Sequence, residues 1–168
     1  PCAEIALGDG ESCNLATIFL PNIEFYDQFV EVSKLLYKVQ KAITNLSYPY
    51  EKTSQITRKN RRLGQSVTGL LQCDEEKLSW LSPGYEELRE FDKQYSAEHG
   101  VPESVRLTTV QPSGTLSLLP GVTPGIHPAY APYYIRRVRF SIADPLVEAC
   151  RKRGYNVVPE IMIDGRED

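Results

Sequence analysis

The sequence predicts an α/β fold with parallel strands, on two observations. Apolar residues recur at helical spacing in long stretches, and short runs rich in β-branched and aromatic residues alternate with them along the chain. With 168 residues, 41% of them hydrophobic and 24% charged, the chain is long enough for one domain with a proper core.

Phe25, Phe29, Val32, Leu36, Val39 and Ile43 are spaced three and four apart with Glu, Lys and Gln between them, which marks one face of an amphipathic helix. Pro21-Asn22 gives its start, and the stretch from Asn45 to Pro49 its stop. Arg62 to Leu71 reads as a short strand whose glycines, Gly64 and Gly69, admit a close approach of backbone or ligand. Ser82-Pro83-Gly84 then opens a helix to about Glu98, with Ser82 as N-cap, Pro83 in the first turn and His99-Gly100 as the end. Val105 to Val110 reads as a buried strand and Tyr133 to Phe140 as another. Pro145 to Arg153 forms the last helix, stopped by Gly154.

Charge and length narrow the function classes. A net charge of −3 and a pI of about 5.5 give no general attraction to a polyanion, so an extended nucleic-acid footprint is not expected. No apolar stretch reaches membrane-spanning length and no signal sequence opens the chain, which reads as cytoplasmic and without a membrane partner. Cys2, Cys13, Cys73 and Cys150 form no C-x-x-C pair, so free thiols are expected over a disulfide framework or structural zinc site, and no metal site is assigned.

Two places carry chemistry. At the N-terminus Cys2 and Glu4 lie on the same side of an extended segment, where a carboxylate can act as base beside a thiol. Cys13 returns after Gly8-Asp9-Gly10, a turn able to bring it beside Cys2; on residue chemistry alone it reads first as a buried apolar residue. The second place is Pro112-Ser113-Gly114-Thr115, between a strand and an apparent helix. Free amides and hydroxyls there suit a phosphate, although an ordinary capped turn has the same composition. His127 with Cys2 is the one candidate hydrolase dyad. His99 reads as a favourable charge near a helix C-terminus, and Arg136, Arg137 and Arg139, which could hold phosphate, read first as a solvated strand face or an interaction surface. Cys73 and Cys150 read as structural.

Pro1-Cys2-Ala3-Glu4-Ile5-Ala6-Leu7 followed by Ser12-Cys13-Asn14-Leu15-Ala16 resembles the finger-loop signature of ribonucleotide reductases. The resemblance continues in order through Arg62 to Leu70, Pro112-Ser113-Gly114-Thr115 and Gly125-Ile126-His127-Pro128. The short separation of Cys2 and Cys13 and the Pro-Ser-Gly-Thr form look most like the adenosylcobalamin-dependent class, in its monomeric branch that reduces ribonucleoside triphosphates.

The resemblance implies that residues 1–168 are a single fragment of the catalytic domain. It would be the C-terminal part of a ten-stranded α/β barrel, with the finger loop at its N-terminus. It further implies that Cys2 carries a transient thiyl radical that removes the ribose 3′ hydrogen, Glu4 takes the 3′-hydroxyl proton, and Cys13 is one of the reducing thiol pair. Pro112, Ser113, Gly114 and Thr115 would hold the substrate phosphates. The implied cofactor is adenosylcobalamin, and the implied partners are a ribonucleotide, the missing upstream part of the enzyme and a thioredoxin-like or dithiol reductant. The asparagine before Pro1, the partner of Cys13 and the C-terminal recycling cysteines are absent, so the isolated chain is not expected to turn over. Two other expectations stay open: a non-catalytic assembly fragment that binds nucleotide only with its other half, and a thiol hydrolase or redox protein using Cys2 and His127.

Overall fold

The computed structural model describes residues 4–159, which fall into two compact units, one up to Ala129 and one from Tyr130 onward. In the first, β1 (Asn14–Phe19) leads into α1 (Tyr26–Ile43) and α2 (Glu51–Asn60), and the chain returns as β2 (Leu63–Thr68). β1 and β2 pair in parallel from Asn14 opposite Leu63 to Phe19 opposite Thr68, a pairing that requires the helical crossover between them. A short α3 (Glu75–Ser79) and the long α4 (Leu81–His99) then bring the chain back a third time. The expected α/β order with parallel strands is therefore present.

The third extended segment is weaker than the sequence suggests. Of Val105 to Val110, only Thr108 forms a bridge, parallel, to Gln65. Backbone bonds to Arg106, Leu107 and Thr109 nevertheless lay this stretch along β2. Five of the six residues of β2 are buried, as a strand covered on both faces requires.

Two apolar clusters hold the helices to this sheet. Ile18, Leu20, Ile23, Phe29 and Trp80 form one, and Tyr37, Leu63, Leu88 and Leu107 the other. The buried face of α1 departs from the expected stripe: Phe25 and Val39 are exposed, whereas Ser33, Tyr37, Gln40 and Lys41 are buried. Polar side chains went inside because each found a partner. Ser33 donates to the Gln65 side chain, Gln40 to the Asn14 carbonyl, and Tyr37 and Lys41 to Asp92.

Other boundaries also differ. Pro21-Asn22 lies in a single 3-10 turn, and α1 is entered from Phe25 in extended conformation. Ser82 does not cap α4, because Trp80 holds that position and Ser82 and Pro83 already lie in the first turn. Gly100 ends α4 at φ 62°, the left-handed conformation expected of it. β1, α2 and α3 have no counterpart among the expected elements. α2 has Ile56 as its one large aliphatic residue and buries Ser54 and Thr57 instead.

In the second unit α5 (Pro145–Lys152) forms as expected, with the Asp144 side chain accepting the Leu146 amide and Gly154 at φ 77° beyond its end. Tyr133 to Phe140 is not a strand. Its β-branched and aromatic residues are exposed, and no neighbouring strand pairs with it among the described residues. Arg136, Arg137 and Arg139 are therefore exposed without forming a strand face. Among the described residues no helix is long and apolar enough to cross a membrane.

Candidate functional site

Cys2 lies outside the described residues, so the site is built from Glu4 onward. The Glu4 carbonyl accepts a bond of 2.9 Å from the Thr109 hydroxyl, which ties the N-terminal segment to the third extended stretch. Ile5 and Leu15 close over Gly64 in β2. A Cβ at Gly64 would stand 2.6 Å from Leu15 Cδ2 and 3.1 Å from both Ile5 Cδ1 and Thr109 Cγ2, so this packing needs glycine. The close approach expected at Gly64 is therefore one of side chains and not of backbone or ligand.

The turn Gly8-Asp9-Gly10 forms, while its expected result, Cys13 beside Cys2, lies outside the described residues. Glu11 donates its amide to the Gly8 carbonyl at 3.0 Å, and Cys13 follows at the mouth of β1. Glu4 and Cys13 then line one small cavity of about 30 Å³ together with Ile5, Leu7 and Leu15. One Glu4 carboxylate oxygen, Oε2, is buried without a hydrogen-bond partner among the described residues. Burial, and to a lesser extent the nearby Glu11 and Glu4 carboxylates, push the Cys13 thiol up to about 11 against the pull of Arg62. Cys13 is therefore a neutral S–H at physiological pH, in the form that can give up a hydrogen. Cys73 packs against the first apolar cluster, consistent with a structural role.

The run Pro112 to Thr115 begins three residues beyond Thr109 and its bond to Glu4. Gln111 fastens it to both strands: its side chain accepts from Thr17 of β1 at 2.6 Å, and its amide donates to Ser66 of β2 at 3.0 Å. Both anchors lie in the C-terminal halves of parallel strands, the end where open α/β sheets place ligands. Ser113 is buried at φ 53° and caps the turn through its carbonyl, which accepts the Ser117 amide at 2.9 Å. Gly125 packs on this backbone, where a Cβ would stand 2.7 Å from the Gln111 carbonyl. Gly114 and Thr115 are exposed, and their amides have no protein acceptor among the described residues.

The expected helix after this run is a 3-10 turn of three residues, Leu116–Leu118. A helix dipole therefore contributes little here, and any anion would be held by free amides and hydroxyls. His127 is exposed with its ring turned to the Pro124 carbonyl; its distance to Cys2 lies outside the described residues. His99 stacks on Tyr95 in the last turn of α4, near the C-terminus as expected.

Comparison with known proteins decides the family. The model of the ribonucleotide reductase barrel domain matches residues 1–91. The chain belongs to the ribonucleotide reductase family. An adenosylcobalamin-dependent ribonucleoside-triphosphate reductase of Euglena gracilis is 38% identical over 166 residues, covering 95% of this chain and 22% of the relative. One of the same name from Lactobacillus helveticus is 34% identical, covering 96% of this chain and 26% of its own length. The crystal structure of a B12-dependent, class II ribonucleotide reductase superposes with a TM-score of 0.78 at 30% identity, over 97% of this chain and 27% of that one. The chain thus spans about a quarter of the length of these relatives.

Within this reductase segment, sequence reasoning missed the residues that hold the site. Thr109, Thr17, Ser66, Gln111 and Glu11 act through contacts between residues up to 105 positions apart. Only the position of Gln111, directly before the Pro-Ser-Gly-Thr run, was a local signal.

Proposed function

We propose that this chain is a single fragment of a ribonucleotide reductase catalytic barrel, the C-terminal part of its ten strands with the finger loop at the N-terminus. Its reaction is the radical reduction of ribonucleotides, as triphosphates, to 2′-deoxyribonucleotides. The observation that carries this reading is the shared cavity of Glu4 and Cys13, with Glu4 tied through Thr109 to the stretch that becomes the Pro112–Thr115 turn. One nucleotide can then meet a carboxylate and a thiol at its ribose and free amides at its phosphates.

In this reading a Cys2 thiyl takes the ribose 3′ hydrogen, and the orphaned Glu4 oxygen accepts the 3′-hydroxyl proton. Cys13, protonated at neutral pH, is one of the two thiols that together supply the reducing equivalents as the 2′-hydroxyl leaves as water. The pair ends as a disulfide, which a thioredoxin-like or dithiol partner reduces. Pro112, Ser113, Gly114 and Thr115 hold the phosphates. Adenosylcobalamin, named in the relatives, is the source of the radical. No described residue is assigned to the cofactor, and no step is routed through it. The upstream part of the enzyme would supply the second reducing thiol, and the assembled enzyme is cytoplasmic.

The test is the full-length enzyme with adenosylcobalamin, a dithiol and ribonucleoside triphosphate. Cys2→Ser and Cys13→Ser should abolish dithiol-dependent formation of 2′-deoxynucleotide, and Glu4→Gln should slow it by roughly 10²- to 10⁴-fold. Wild-type turnover in either cysteine variant would overturn the assignment.

A further inference from the structure

The Glu11 side chain is 4% exposed, yet it carries a carboxylate and sits in a turn flanked by glycines. Oε1 accepts from Asn60 Nδ2 and from Arg62 Nε, each at 2.7 Å, and Oε2 accepts the Gly8 amide at 2.9 Å. One carboxylate therefore closes the Gly8–Glu11 turn on itself and fastens it to the junction where α2 ends and β2 begins. The next residue after Arg62, Leu63, pairs with Asn14 in the first rung of the β1–β2 ladder. Cys13 lies between the fastened turn and that rung.

We infer that Glu11 is a positioning residue for the reducing thiol: its buried carboxylate pins the return turn so that Cys13 stays beside Glu4. The inference rests on the reductase reading above for the role of Cys13, but its structural content does not. Thr109 holds the Glu4 end of the segment and Glu11 holds the Cys13 end, so the two reactive groups are fixed independently across their cavity. Without the second fixture the turn keeps only the exposed Asp9–Lys52 ion pair and the Ser12–Tyr48 hydroxyl bond, and Gly8 and Gly10 make it easier to open. Charge-assisted bonds to a buried carboxylate are the stronger kind, which suits a fixture that must hold through turnover.

The experiment compares Glu11→Ala, Glu11→Gln and Asn60→Ala with wild type in the full-length enzyme, reading Cys13 alkylation by mass spectrometry with Cys73 as internal reference. Nucleotide KM and kcat are read in parallel. Glu11→Ala should raise Cys13 alkylation about tenfold, the size expected for losing such a bond. It should also lower kcat on the order of 100-fold, as misplacement of a reacting group does, with KM unchanged. Glu11→Gln and Asn60→Ala should fall in between; Asn60→Ala removes a single donor and keeps the test alive if Glu11→Ala does not fold. Unchanged Cys13 alkylation, or Cys13 and Cys73 rising together, would overturn the inference. Retained turnover in Cys13→Ser would instead sink the reaction assignment, and the alkylation ratio would still decide the fixture.

Discussion

Lys41 of α1 and Asp92 of α4 meet inside the protein, Nζ to Oδ1 at 2.8 Å, with side chains 2% and 4% exposed. Asp92 also accepts from Tyr37 at 2.6 Å, from the Ser104 amide at 2.8 Å and from Ser96, while Lys41 donates further to the Pro102 carbonyl and the Ser104 hydroxyl. This network joins α1, α4 and the connection into the third extended segment.

Removing one member takes a charged partner from buried groups, and the two partners are not equivalent. Asp92→Ala leaves the Lys41 ammonium buried without a counter-charge, holding only the Pro102 carbonyl and the Ser104 hydroxyl, and strips the Tyr37 phenol and the Ser104 amide of their acceptor; it should cost about 3–5 kcal/mol. Lys41→Met leaves Asp92 with Tyr37, Ser96 and the Ser104 amide, and should cost less. Hydrogen exchange of α1 and α4 amides measures both. A larger loss in Lys41→Met would refute the ranking.

Acid should weaken the fold through Asp92 and Glu11. Burial raises the Asp92 carboxyl, but Lys41, Tyr37 and the Ser104 amide together outweigh it and bring the group below its ordinary 3.8. Burial likewise raises Glu11, and Arg62, the Gly8 amide and Asn60 together bring it below 4.5. Both folded values lie under the unfolded ones, so the stabilisation is complete above those ordinary values. It is lost as pH falls through the lower folded values. Denaturation midpoints should stay level from neutral pH to about 5 and fall below it. Glu11→Gln should flatten part of that fall, and an identical pH profile in the variant would contradict the assignment.

The same residues show what the sequence could and could not reveal. α1, α4 and α5 were legible because apolar spacing and glycine stops are local, and β2 because its composition is. α2 was not, since its buried residues are polar and give no apolar spacing: Ser54 accepts the Tyr48 amide, and the Thr57 hydroxyl has no hydrogen-bond partner among the described residues. Gln40 and Lys41 of α1 read as solvent-facing because the partners that bury them, Asn14 and Asp92, lie far away in the chain. Glu4, Cys13 and the Pro112–Thr115 run were singled out as candidates chiefly by resemblance, since on chemistry alone Cys13 reads first as a buried apolar residue and the run as an ordinary capped turn. The side chains that position them, Thr109, Gln111 and Glu11, are ordinary in sequence and acquire their role only when the parallel strands come together.

Gly64→Ala should act on the site while leaving the helices in place. The added Cβ would meet Leu15 Cδ2 at 2.6 Å, which can swing aside, but also Ile5 and Thr109 at 3.1 Å. Overpacking of this kind costs about 1–3 kcal/mol. The strain falls on the segment that carries Glu4, so amide exchange near Ile5 should accelerate while that in α4 holds. Uniform acceleration in both regions would show that Gly64 serves the whole fold.

Gln111→Leu tests whether Pro112–Thr115, the turn proposed to hold phosphate, is positioned by its anchors. Leucine keeps the approximate bulk of the side chain but cannot accept the Thr17 hydroxyl, so the tie to β1 is lost while the amide bond to Ser66 remains. A turn held on one side presents the Gly114 and Thr115 amides less well, and nucleotide binding should suffer more than chemistry. In the full-length enzyme this variant should raise KM for the triphosphate with a smaller change in kcat, and Thr17→Val should reproduce it because the same bond is removed. A single lost hydrogen bond is worth about 1 kcal/mol, or roughly a fivefold rise in KM. The double variant should do no more than either alone, since both break one interaction. Additive losses in the double variant would mean that Thr17 and Gln111 act on the nucleotide separately and that their bond does not set the turn.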